Sequence, residues 1–416
     1  MKAIILSIGD EILMGQTLNT NSQYLAGVLT DLGFDVREII TVPDSRTEII
    51  DALERASGKF DLLLSTGGLG PTSDDITKQV LLDYFGGQMV MNEQVLSDVE
   101  RFIKNRGREM NEANRMQAMV PSSAKIVRNP IGTAPGLWFE KNNTVFVFMP
   151  GVPFEVEQLT EENLVPLLKE KFDLPVICKR FVHTLGIPEA ELSEKLKDFE
   201  AQLPKEVKLA YLPSPEDIKL RLTAVGKDRE KLGELLDAQV EKITAILGDA
   251  VWGFGDDTLP MVLQRLADEY FLRIATAESC TSGKIAHMIT SVPGSSRYFV
   301  GSIIAYANEV KENMLAVGGF TMQKEGVVSE PVVKQMALSA KMQFGVDFAV
   351  STSGIAGPDG GSEEKPVGTT WIAVSGPEGT VAKKFMFGNR RDINVRRAAA
   401  SALHMLINEI KKTYMQ

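Results

Sequence analysis

The stretch "FLRIATAESCTSGKIAHMIT", Phe271 to Thr290, decides how the chain is read. Its opening, "FLRIA", is an apolar run of strand character, and its close, "KIAHMIT", reads as the start of a helix. Between them "TAESCTSGK", Thr276 to Lys284, packs five hydroxyl or thiol side chains into nine residues. Strand, polar turn, helix is the layout that lifts a nucleophile off the end of a sheet. Polar residues where strands end are also the expected ligand site of an α/β fold.

Working outward, the same alternation covers most of the chain. Beyond the turn, "GSIIAYA", "DFAVSTSG", "TTWIAVSG" and "VAKKFMF" read as strands, with helices near Glu330–Phe344 and Arg391–Lys411, giving an α/β segment over about 254–416. Upstream, about 171–253, "VICKRFVHTLG", "VKLAYLP" and "DIKLRLTAVG" alternate with helices near Glu189–Phe199 and Arg229–Leu247. This predicts a small α+β connector or dimerisation element, followed by "GDAVWGFGDDT" as a link. In the first segment, about 1–170, "KAIILSIG", "FDVREIITV", "DLLLST" and "VFVFMPG" are strands. Helices fill the gaps, one over Asn21–Leu32 and one with Asp44 as its N-cap. The alternation predicts a doubly wound, mostly parallel sheet with helices on both faces.

A length of 416 residues allows two or three domains, and 44% hydrophobic residues fill sizeable cores. A net charge of −10 argues against a nucleic-acid partner, which calls for a basic surplus. The start, "MKAIILSIGDEILMGQ", lacks the long apolar core of a secretory signal. No stretch approaches the roughly 20 apolar residues that span a bilayer. Two cysteines, Cys178 and Cys280, make neither a disulfide framework nor a zinc site. A cytoplasmic protein is expected, with no membrane partner.

Within "TAESCTSGK" the candidate nucleophiles are Ser279, Cys280, Thr281 and Ser282; the plain alternative is that their side chains cap the helix. Only three histidines exist, His183, His287 and His404, so a base has to come from elsewhere. "IAYANEVKENM" places Tyr306, Asn308 and Lys311 after a strand, at the same kind of edge. A buried lysine kept neutral serves as a serine's base, whereas a solvated helix lysine does not. "STSGIAGPDGGSEEKPVG" is a long loop with five glycines, suited to close backbone approach to a ligand. "GNRRDINVRRAA" sets Arg390, Arg391, Arg396 and Arg397 at the start of the last helix, where they suit an anionic group or simply face solvent. Cys280 as a thiolate is the rival nucleophile.

Taken together, "AESCTSGK", "AYANEVK", "GVVSEPVV", "SGIAGPDGGSEEKPVGT" and "RRDINVRRAA" resemble the nicotinamide-nucleotide amidase family, the C-terminal domain of CinA-type proteins. The resemblance spans nearly all of the third segment. It implies hydrolysis of the carboxamide of nicotinamide mononucleotide, without a cofactor, with Ser279 as nucleophile, Lys311 as base and Tyr306 and Asn308 in support. Cys280 and Thr281 would offer amides, and Ser353, Gly354, Gly357, Gly360 and Gly361 would line the site. Arg397 would hold the substrate phosphate. The family usually reads T-G-G after the Ser-Cys pair, where this chain has Thr281, Ser282 and Gly283.

In the first segment, "SIGDEILMGQTLNTNSQYLA", "TVPDSR", "STGGLGPTSDDIT" and "NPIGTAPG…VFVFMPGVPFEV" all fall at strand ends. Asp10, Glu11, Asp44, Asp74, Asp75 and Glu155 are candidate oxygen ligands for a hard divalent cation; alternatively, Asp74 and Asp75 only favour a helix start by charge. These runs resemble the N-terminal domain of CinA-type proteins, which is similar to molybdopterin-binding proteins of the MogA and MoeA type. The resemblance implies a metal-assisted ADP-ribose pyrophosphatase, with Asp74 and Asp75 holding a divalent metal and Asn21, Thr66, Gly67 and Gly68 contacting the nucleotide. Two readings follow. One is a bifunctional, homodimeric enzyme of pyridine-nucleotide salvage. The other is a regulatory protein whose first domain only binds a nucleotide or pterin.

Overall fold

A computed structural model describes residues 1–70 and 76–415 of the chain. It divides into two compact units, Met1–Ile177 and Cys178–Gln416.

The first unit is built on β1 (Lys2–Ile8), β2 (Asp35–Val42), β3 (Leu62–Thr66), β4 (Lys125–Val127), β5 (Gly136–Lys141) and β6 (Thr144–Met149), in the order β2-β1-β3-β6-β5-β4. The β2, β1, β3 and β6 neighbours run parallel, while β5 and β4 are antiparallel additions, so the sheet is mixed. Its apolar runs are explained by two cores. Ile4, Leu6 and Ile8 enter one core with Ile49 and Leu53, whereas Ala3 and Ile5 enter the other with Leu29 and Val156. A strand covered on both faces reads as continuously apolar. Helix α1 (Thr20–Asp31) follows β1 onto one face, while the helix Thr77–Phe85 after β3 packs on the other. Adjacent strands whose connections leave on opposite faces open a crevice at their carboxyl ends. The helix Arg46–Ala56 takes Ser45, not Asp44, as its N-cap residue.

The second unit opens with β7 (Val176–Thr184), β8 (Val207–Pro213), β9 (Ile218–Gly226) and β10 (Val251–Phe254), ordered β8-β9-β7-β10. With helices Glu189–Ala201 and Arg229–Leu247 this is a βαββαβ module. The expected link thus supplies a fourth strand: Val251 pairs with Thr184, and Trp252 is buried.

The rest carries β11 (Ile274–Glu278), β12 (Phe299–Ile304), β13 (Phe348–Gly354), β14 (Thr369–Gly376) and β15 (Gly379–Met386), ordered β12-β11-β13-β14-β15. The first three are parallel and the last two antiparallel. Helices α2 (Lys284–Thr290), α3 (Asn308–Leu315), α4 (Glu330–Phe344) and α5 (Arg391–Tyr414) sandwich the sheet. Ile285 and Ile289 of α2 join Leu403 and Leu406 of α5 on one face; Leu315 of α3 joins Met336 of α4 on the other. The chain therefore leaves β11 and β12 in opposite directions, placing a second crevice where Ser279 and Lys311 lie. Among the described residues, no helix is long and apolar enough to cross a membrane.

Candidate active site

Ser279 is the first residue beyond β11, and its backbone is tied to both neighbouring strands. Its N–H donates to Thr352 O of β13 at 3.1 Å, and Ala305 N–H donates to Glu278 O at 2.8 Å. Lys311, one turn into α3, then reaches back, and Nζ donates to Ala305 O at 2.9 Å and Tyr306 O at 3.3 Å. Ala305 thus links the turn that carries Ser279 to the amine, through its N–H on one side and its C=O on the other. Lys311 is 2% exposed, and burial holds its pKa below the ordinary lysine value. A neutral amine has two hydrogens and one lone pair. In that form both hydrogens would be spent on the two carbonyls, and the lone pair would be left for a third partner.

Ser279, Asn308, Lys311, Ser353 and Gly354 line one cavity of about 180 Å³, closed on one side by Val327 and Val328. Ser353 Oγ donates to Val327 O at 2.8 Å. A Cβ on Gly354 would stand 2.6 Å from Thr370 Oγ1 and 3.1 Å from Cys280 Sγ, so only glycine fits the cavity floor. The Cys280 thiol is buried, which pushes its pKa up to about 12. At neutral pH roughly one thiol in 10⁵ would be ionised, which disfavours the thiolate reading.

The turn itself is held by a residue that the sequence does not single out. Glu278 is fully buried, and its carboxylate accepts from Gly283, Ile285 and Ala286 N–H at 2.8–3.1 Å. The hydroxyls therefore do not cap α2, since a buried carboxylate outcompetes them for its N–H groups. Thr281 instead pairs with Thr352 at 2.8 Å. The available signal was an acid ending the otherwise apolar run "IATAE". Ser282 adopts a left-handed backbone, φ 51°, with its side chain exposed.

Of the four arginines, Arg391 reaches this cavity. It donates to Gly357 O and to the Tyr306 hydroxyl, both at 2.9 Å. Tyr306 is 59% exposed and stands at the mouth. The expectation for Arg397 needs correction: six residues along the helix turn it onto another face, where Nε donates to Pro215 O at 2.7 Å. Gly360 and Gly361 lie farther out on the exposed part of their loop.

In the first unit, Asn21 Nδ2 donates to Thr66 Oγ1 at 3.1 Å and to Gly151 O at 2.8 Å, at the carboxyl ends of β3 and β6. Gly67 and Gly68 have φ of 103° and 68°. A Cβ on them would stand 2.0 Å from Ile8 O and 2.2 Å from Thr77 Oγ1. These four expected contacts are brought together. The expected metal ligands Asp74 and Asp75 lie outside the described residues. Among the described residues, no three of His, Cys, Asp and Glu come together for a metal ion. Glu155 instead accepts from Asn129 Nδ2 at 2.7 Å, and burial raises its carboxyl pKa.

Three family models match in succession: a probable molybdopterin binding domain over 4–170, a damage-inducible protein CinA KH domain over 179–253, and a CinA C-terminal domain over 256–410. The chain is 44% identical over 416 residues to a CinA-like protein of Flavobacterium psychrophilum, covering all of both chains. It is 43% identical to a CinA-like protein of Cytophaga hutchinsonii, covering 99% of this chain and 98% of that one. A solved structure, the competence/damage inducible protein CihA from Agrobacterium tumefaciens, is 35% identical, covers 36% of this chain and 94% of its own, and has a TM-score of 0.35.

Proposed function

The chain belongs to the CinA family, and on that premise we propose that its third segment is a serine amidase converting nicotinamide mononucleotide to nicotinic acid mononucleotide and ammonia. The observation that carries this reading is Lys311: an amine 2% exposed, its pKa lowered by burial, in one cavity with Ser279. A binding pocket has no use for an amine whose charged form is disfavoured by burial.

Ser279 Oγ attacks the carboxamide carbon and Lys311 Nζ takes its proton. The amides of Cys280 and Thr281 receive the developing oxyanion. The C–N bond then breaks, and the Lys311 proton leaves with ammonia. Water attacks the acyl ester, Lys311 again takes the proton, and breaking the C–Oγ bond returns that proton to Ser279. The cavity, at about 180 Å³, is below the roughly 300–1,000 Å³ of complete ligand sites. It takes the reacting ring and amide, leaving the phosphate outside near Arg391. Ammonia release by the full chain from nicotinamide mononucleotide tests the proposal. Turnover retained by Ser279→Ala would sink the serine mechanism.

For the first unit, the gathered Asn21, Thr66, Gly67 and Gly68 favour binding of a nucleotide or pterin phosphate. Cleavage of ADP-ribose there would need a cation on Asp74 and Asp75. Incubating the protein with ADP-ribose, with and without magnesium, separates the two: binding without metal-dependent release of AMP leaves only the binding reading.

A further inference from the structure

Asn394 is a buried amide that the amidase chemistry leaves unused. It lies one turn beyond Arg391 on α5 and is 2% exposed. Nδ2 donates to Ala356 O at 3.0 Å and to Gly388 O at 2.9 Å. Two carbonyls facing one nitrogen fix which end of the amide points where. Among the described residues, Oδ1 is then buried with no partner. A side chain that leaves a buried acceptor unpaired is a poor choice for stability alone, so its two donated bonds call for another account.

Those bonds fall on the parts that hold Arg391. Ala356 lines the Ser279 cavity, and the next carbonyl along, Gly357 O, accepts from Arg391 at 2.9 Å. Gly388 lies in the short segment that leads from β15 into α5. Residues three apart share a helix face, so Arg391 and Asn394 grip adjacent carbonyls of one loop. Gly357 has a left-handed backbone, φ 91°, and a glycine left unbraced has more conformations open to it than any other residue. Arg391 is exposed, and its long side chain has many rotamers to lose. Two contacts orient it, Gly357 O and the Tyr306 hydroxyl. Tyr306 is itself mostly exposed, so the Gly357 carbonyl is the firmer of the two, and Asn394 fixes the loop that carries it.

We propose that Asn394 is a positioning residue for the substrate phosphate. By holding Ala356 and Gly388 it sets the Gly357 carbonyl, and through that carbonyl the direction of the Arg391 guanidinium. The inference rests on the amidase reading and adds what makes that site prefer a nucleotide to its nucleoside. Asn394 does not touch the substrate, and its whole effect runs through Arg391.

Steady-state ammonia release by the full chain, from nicotinamide mononucleotide and from nicotinamide riboside, tests this. Asn394→Leu keeps the size and removes both bonds; Asn394→Ser is shorter and leaves room for a water on the two carbonyls. Each is expected to raise the ratio of KM for the nucleotide to KM for the riboside about tenfold, the loss of one charge-assisted contact. Adding Arg391→Gln to either should raise the ratio no further than Arg391→Gln does alone, since both act on the same contact. A rise in KM shared equally by the two substrates marks a merely structural residue and overturns the proposal. Losses that multiply in the double variant, or unchanged KM values in a folded Asn394→Ser protein, overturn it too. No ammonia from the wild type with the nucleotide refutes the amidase reading itself, and this inference with it. Asn394→Ser carries the test if Asn394→Leu fails to fold.

Discussion

Replacing Ser282 by glycine should stabilise the protein. Ser282 holds φ 51° immediately before Gly283 at φ 90°. A left-handed backbone costs an L-residue about 1–2 kcal/mol. Glycine escapes that cost but loses about 0.5–1 kcal/mol more conformational freedom on folding. The serine hydroxyl offers little in return, since its contact with Ser279 O is 3.5 Å, at the limit of a hydrogen bond. The difference leaves about 0.5–1 kcal/mol in favour of Ser282→Gly, or about 1–4 °C in the melting midpoint of a unit this size. Thermal melts followed by circular dichroism measure it, with Ser282→Ala as the control that removes the hydroxyl and keeps the Cβ. If alanine raised the midpoint as much as glycine, or glycine lowered it, the backbone account would be wrong.

Four further outcomes are expected. Ammonia release should fall as pH drops through the lowered pKa of Lys311, and Lys311→Arg, charged at every accessible pH, should lose at least about 100-fold. The same shift acts on stability. Between the depressed folded pKa and the ordinary unfolded value, the unfolded chain binds the proton more readily, so stability present at higher pH is lost as pH falls through that window. Urea midpoints taken across alkaline to neutral pH should show this slope in the wild type and lack it in Lys311→Met. Arg391→Gln should raise KM for nicotinamide mononucleotide about tenfold and leave that for nicotinamide riboside, which has no phosphate, nearly unchanged in steady-state assays. Gly354→Ala, which drives a Cβ to 2.6 Å from Thr370 Oγ1, should cost about 1–3 kcal/mol in urea denaturation.

The elements were legible because their signals are local. Alternating and continuous apolar runs located β1, β3, β6 and β13 within a residue or two, and the polar turn after β11 offered four nucleophiles, among which the family resemblance implied Ser279. What escaped depends on direction. Arg391 and Arg397 share a helix start and a composition, and only the helix's rotation on the sheet decides which one faces Ser279. Glu278 is buried under the turn, but an acid before a serine reads the same whether it faces solvent or a helix end. Val251–Phe254 looked like a link because four residues containing a glycine carry too little periodicity. It becomes a strand because β7 offers it an edge. Ser282 was visible as an odd residue, but its backbone angle was not.

Leu185 and Trp252, one from β7's end and the other from β10, sit in the same apolar core as Leu263, Phe348 and Leu403. The module that precedes the third segment therefore lends it two wall-filling side chains. A cut at the boundary between the second and third family models, just after Gly253, would leave an indole-sized gap in the downstream piece and leave Trp252 without its core at the end of the upstream piece. The natural joint for dissecting this chain is instead the one near Ile177, where one compact unit gives way to the next.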